Sequence, residues 1–130
     1  MAVGAVAVIA YCAVVGTTLF RFARRSWRDG YSYAYRMRLT PLPDDHKLGI
    51  ERAFGVGGAF HYLLGVMMIA VLVTPWDAQS VADALILGVP LLGVVLSGAL
   101  MLTIIWFNRP RFLVPRHMRE QPGTVRLRRG

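Results

Sequence analysis

Disulfide chemistry is closed to this chain from the start, because its 130 residues contain a single cysteine. Cys12 has no partner within the chain and stands in an apolar run, where a thiol packs as a small hydrophobe. Lysine is almost missing as well: Lys47 stands alone against fourteen arginines, a bias in keeping with a GC-rich bacterial genome. Carboxylates number seven, and none lies inside a long apolar run. Charged side chains that would line a proton or ion path across a membrane are therefore absent from the sequence. No Gly-x-Ser-x-Gly, His-Glu-x-x-His or phosphate-loop spacing occurs, nor any repeat of about 20–50 residues. Gly55-Val56-Gly57-Gly58 lies within an apolar run rather than between a strand and a helix, so it is no nucleotide loop. The expectation is a protein that is not an enzyme and holds neither metal nor cofactor.

What the chain has instead is apolar surface. Hydrophobic residues make up 55% and the mean hydropathy is +0.48. They fall into three uncharged blocks without the polar face of a soluble helix: 2–20, 53–74 and 84–107. Each approaches the roughly 20 residues needed to cross ~30 Å of hydrocarbon. The chain thus reads as an all-α membrane protein of three transmembrane helices. An inner loop covers 21–52, an outer turn 75–83 and a basic tail 108–130; Val81 is the earliest start of the third helix. A secretory signal would place its basic residues before the apolar run. Here Arg21, Arg24, Arg25 and Arg28 come after it.

The punctuation between the blocks is specific. Arg21 to Arg28 continues the first helix out of the membrane, and Trp27, Tyr31, Tyr33 and Tyr35 suit the headgroup level. Thr40-Pro41-Leu42-Pro43 interrupts any helix, and Asp44 or Asp45 is a natural N-cap for the helical stretch leading into the second block. Asp83 is an acidic charge at a helix N-terminus. Pro90 is a kink candidate, and Trp106 with Phe107 marks an exit at the interface. Pro110, Pro115 and Pro122 exclude a long helix in the tail.

Orientation follows from charge. Eight of the fifteen basic residues lie in 21–52 and seven in 108–130, whereas 75–83 holds only Asp77 and Asp83. The positive-inside rule puts the N-terminus outside, and the loop and tail in the cytoplasm, of a bacterial inner membrane. An isoelectric point near 10.8 then describes one face of a membrane protein and does not call for nucleic acid. The arginines and tyrosines of 28–38 read as interfacial anchors rather than an RNA-binding surface. Arg21, Arg24, Arg25, Arg28, Arg109, Arg111, Arg116, Arg119, Arg126, Arg128 and Arg129 are expected to dock on anionic lipid or on a partner subunit.

Small residues recur four apart in the helices, which lets backbones approach closely in lipid. Gly55, Gly57, Gly58, Gly65, Gly93 and Ser97 are the expected packing positions. They exceed what one triangular three-helix core requires, so an outward face for other integral membrane subunits is expected. His61 is the one ionisable side chain well inside a block. Its readings are a neutral imidazole bonded to a neighbouring helix, or a haem ligand, quinone partner or proton carrier.

The leading expectation is a non-catalytic accessory or scaffold subunit of a larger inner-membrane complex, most readily a transport assembly. Actinobacterial lipid import is one concrete case, resting on the arginine bias alone. Two further plans fit. The three-helix layout is similar to that of the membrane anchors of succinate dehydrogenases, which implies a quinone or haem site near His61. It also resembles phage holins, pore formers whose loops are shorter than the one here.

Overall fold

The computed structural model describes residues 2–30, 32, 41–74 and 80–127. Three of its helices are long and apolar enough to cross a membrane. The first, α1, spans Ala2–Asp29 and carries the helix beyond the apolar block through Arg21, Arg24, Arg25 and Arg28, residues with good helical propensity. A short polar helix, α2, covers Asp44–Arg52. It precedes α3, Phe54–Val73, and α4, Val81–Phe107.

Local chemistry fixes the ends. Pro43, not Asp44 or Asp45, is the N-cap of α2. Its fixed φ and missing N–H suit a helix entry. Asp44 becomes the first helical residue, where its carboxylate accepts a bond from Lys47 Nζ at 3.0 Å. Ala53 interrupts the helix between α2 and α3, its N–H turning back to Ile50 O at 3.0 Å. At the start of α4, Ser80 and Asp83 form a reciprocal capping box. This moves the helix start to Val81 and gives Asp83 the N-terminal role its charge suggests. Pro90 sits inside α4, buried, without ending the helix. Asn108 closes α4 in the left-handed conformation, φ 55°, which asparagine tolerates better than most residues. The Tyr31, Tyr33 and Tyr35 anchors, Pro75, Trp76 and Asp77 lie outside the described residues.

The three long helices form a row rather than the expected triangle. α3 lies in the middle, antiparallel to both neighbours, and α1 and α4 barely touch each other. Against α1 it sets Gly65 beside Cys12, Gly58 beside Phe20 and Gly55 beside Ala23. Against α4 it sets Leu63 beside Gly93 and Phe60 beside Gly98. The physical reason lies in the positions on α3. Gly58, Tyr62 and Gly65 form one helical face, and Val56, Phe60 and Leu63 form nearly the opposite one. Two opposed contact faces place two neighbours on opposite sides.

The row leaves many large apolar side chains exposed: Val14 at 65%, Val73 at 68% and Val89 at 64%. Such a surface is compatible with lipid and not with water. Among the described residues, buried side chains cluster at one end, here called the base. There Ala53, Ile104, Val114 and Met118 form a core with Leu48, Met101 and Ile105 around it. The tail builds this end with two 3-10 turns, Arg111–Leu113 and Arg116–Met118, and a short helix, α5, Thr124–Leu127. The three prolines thus break the tail into turns, as their chemistry requires.

Candidate docking and membrane-surface sites

Because α1 and α4 stand on opposite sides of α3, one broad side of the row is a groove. Gly55, Val56 and Ala59 of α3 floor it. Phe20 and Trp27 wall it from α1, and Gly93, Leu96, Ser97 and Leu100 from α4. Its volume is about 490 Å³. Ser97 is buried, its hydroxyl donating to Gly93 O at 2.7 Å, so the groove presents no free polar hydrogen there. Toward the base the groove meets Leu113 and the guanidinium of Arg119, 5.5 Å from the Trp27 ring. This is a cation–π geometry, further fixed by the Arg119 Nε bond to Val114 O at 2.9 Å.

The six small residues singled out by spacing divide accordingly. Gly57, Gly58 and Gly65 are buried among the chain's own helices, Gly57 against Leu19 and Met101. Gly55, Gly93 and Ser97 both pack within the chain and line the groove. Two close approaches to backbone were not marked by spacing. A Cβ on Gly49 would stand 2.9 Å from Ile105 O, and one on Gly123 only 2.5 Å from Trp106 O. For Gly123 the Pro122-Gly123 dipeptide is a turn signal that would have found it.

His61 is half-buried in the middle of α3. Its Nδ1 lies 2.7 Å from Gly57 O. A carbonyl only accepts, so Nδ1 carries a proton. The partner is therefore the histidine's own helix, one turn back, and not the neighbouring helix that was expected. Nε2 has no hydrogen-bond partner among the described residues, and in the singly protonated ring it bears the lone pair. The rings of Tyr11, 6.4 Å away, and Phe60, 5.6 Å away edge-on, flank it. A different polar pair bridges α1 and α3: Thr17 Oγ1 and Tyr62 Oη lie 2.7 Å apart.

The base is polar as well as packed. Arg52 and Glu51 are each 1% exposed. Arg52 Nη2 donates to Gln121 Oε1 at 3.0 Å, while its Nε and Nη1 have no hydrogen-bond partner among the described residues. Burial pushes the guanidinium down, and the Glu51 carboxylate opposes the shift. Glu51 Oε2 accepts from Ser32 at 2.8 Å. Asn108 holds the tail to the end of α4, its Nδ2 donating to Met118 O at 3.1 Å and Gln121 O at 2.6 Å. Thr124 Oγ1 donates to Ile105 O at 2.8 Å and lies 3.3 Å from Asp45 O. These bonds tie the tail to its own chain.

The arginines fall into two groups. Arg21, Arg24, Arg25 and Arg28 are exposed on the last turns of α1 and surround a shallow polar hollow with Asp29. Arg109 and Arg111 are exposed and line a cavity of about 570 Å³ at the foot of α4. Arg116 is exposed, and Arg119 is committed to Trp27 and Val114. The Arg126 side chain, Arg128 and Arg129 lie outside the described residues. Among the described residues no group of three or more His, Cys, Asp or Glu side chains is placed to hold a metal ion. No protein-family model, curated protein or solved structure matches the chain.

Proposed function

We propose that this protein is a non-catalytic accessory or scaffold subunit of a larger bacterial inner-membrane complex, most readily a transport assembly, with its N-terminus outside and its base in the cytoplasm. The groove supports this reading above all else. Gly55 with Ala59, and Gly93 with Ser97, are two small-residue pairs at i, i+4 on adjacent helices, both turned toward one membrane-exposed hollow. The chain uses the same chemistry where Gly58 and Gly65 receive α1. A transmembrane helix of another integral subunit is the occupant that gains most from such a floor. Close backbone approach in lipid yields packing energy without a hydrophobic drive. The orientation rests on the arginines, because every described basic residue lies at or near the base.

The test is a tagged chain extracted in mild detergent and assayed for an integral membrane partner at fixed ratio. Ala59→Leu fills the groove and is expected to remove that partner. Gly88→Leu places the same side chain where nothing lies within 4 Å and is expected to keep it. Recovery of the native chain alone, or equal behaviour of the two variants, would sink the proposal.

One observation favours a second reading, a membrane anchor of a respiratory complex. With Nδ1 tied to Gly57 O, the free Nε2 of His61 is oriented as a ligating or quinone-binding imidazole is, its other nitrogen fixed by a carbonyl. A haem absorbance that His61→Ala abolishes, or a flavin or iron–sulfur partner, would support it.

A further inference from the structure

The foot of α4 combines three features found together nowhere else among the described residues. A cavity of about 570 Å³ and a shallow surface depression beside it share Arg109 and Arg111 as lining residues. The first is bounded by Trp106 and Phe107, which end the apolar helix and are 50% and 56% exposed, a placement suited to headgroup depth. The second reaches Thr103 and Pro110 on the flank of α4. Neither guanidinium makes a hydrogen bond or ion pair with any described residue, and Glu120 is the only acid in either lining.

Above Thr103 the same flank is apolar and exposed. Ala99, Val95 and Leu92 lie four, eight and eleven residues back, on one side of the helix. Val95 and Leu92 are 59% and 58% exposed. A pair of free guanidinium groups thus stands directly below an apolar strip running into the membrane.

We infer that the foot of α4 is a seat for one anionic phospholipid. Its phosphate sits between Arg109 and Arg111, its glycerol backbone lies at Trp106, and an acyl chain lies along Thr103, Ala99, Val95 and Leu92. Arginine is suited to the phosphate by its planar fork of donors. Glu120 on the rim accepts from a headgroup that carries hydroxyl donors, so phosphatidylglycerol fits better than a headgroup without them. Asn108 shapes the seat by fixing the tail against α4 through Met118 O and Gln121 O. This inference rests on the membrane reading and not on the partner helix, which occupies the groove on α3.

The test uses the full chain in phosphatidylcholine nanodiscs doped with phosphatidylglycerol, and native mass spectrometry to count retained lipid. One phosphatidylglycerol per chain is expected. Arg109→Gln with Arg111→Gln is expected to weaken retention roughly thirty-fold, the equivalent of two interfacial charges. Arg24→Gln with Arg25→Gln removes the same charge from α1, whose exposed arginines meet anionic lipid only as a diffuse surface, and is expected to weaken retention by no more than about three-fold. Because both target side chains are exposed and unbonded, the double variant should keep its helical circular dichroism, which is recorded alongside. Equal losses in the two double variants would show a diffuse basic surface and overturn the inference. So would equal retention of phosphatidylcholine, or displacement of the lipid by inorganic phosphate at matched concentration, which would make this a free-phosphate site. Loss of a protein partner with lipid retention intact would bear on the groove alone.

Discussion

The membrane half and the base of this molecule are held together by different means. In the membrane row, neighbours meet through glycines and one hydroxyl pair, Thr17 with Tyr62, and most large side chains remain exposed to the surroundings. In the base, Ile104, Val114 and Met118 are almost wholly buried, and backbone carbonyls of α4 and α2 are bonded by side chains of the tail. The contrast follows from the solvent. Water drives burial at the base, whereas lipid tails are as apolar as leucine and leave only packing and hydrogen bonds to join helices. A row open on both sides is tolerable in lipid and would not be in water.

Two halves held by different forces should fail separately. Gly123→Ala is expected to have the largest effect. Its Cβ would strike backbone at Trp106 and Phe107, which cannot yield as a flexible side chain does, at a cost of about 2–3 kcal/mol. Limited proteolysis should cut the tail faster while the helical signal of the row persists. Simultaneous loss of both would show that base and row are one cooperative unit.

Arg52→Met comes next. Replacement of the buried guanidinium by an apolar residue of similar length removes two unpartnered donors but also leaves Gln121 Oε1 without its donor and the buried Glu51 carboxylate without this cation, so thermal stability should fall by about 1–2 kcal/mol. The guanidinium's depressed pKa means that the unfolded chain holds this proton more tightly. The resulting cost is therefore constant near neutrality and would ease only at strongly alkaline pH. A loss as large as that of Gly123→Ala would mean that the base depends on the charge rather than on the packing around it.

The smallest effect belongs to the row. Tyr62→Phe removes the bond to Thr17 and should cost about 0.6 kcal/mol, the average for a hydrogen bond between membrane helices. It is measurable as a shift in denaturation in mixed micelles. A much larger loss would mean that the row relies on polar bonding after all.

The same contrast explains which parts of the structure could be read from sequence. Three spans were legible because bilayer thickness and composition dictate them, and only their ends moved. α1 runs on to Asp29 because nothing among Arg21–Arg28 breaks a helix, and α4 begins at Val81 because Ser80 caps it. The row was not legible. Spacing at i, i+4 says that a helix approaches closely but not which helix, and α3 spends its small residues on one neighbour and the groove. The base was hidden for another reason. Its bonds join residues far apart in sequence, Thr124 and Asp45 being separated by 79 positions, and its buried Arg52 and Glu51 look in sequence like two more charges of a solvated loop. Asn108 was the exception within reach: an asparagine directly after an apolar run, with proline soon after, is a helix-stop signal.

The place of α3 between its neighbours also bears on how the protein is made. α1 and α3 share a complete interface without α4, so this hairpin can settle in the bilayer while the third span is still in the ribosomal tunnel. The base cannot. Its closing bonds come from Asn108, Gln121 and Thr124, which are synthesised after every span. Until Thr124 has left the ribosome, Ile105 O lacks its donor and the apolar side of α2 lies open to water. During that interval a nascent chain displays the surface that chaperones and quality-control proteases recognise.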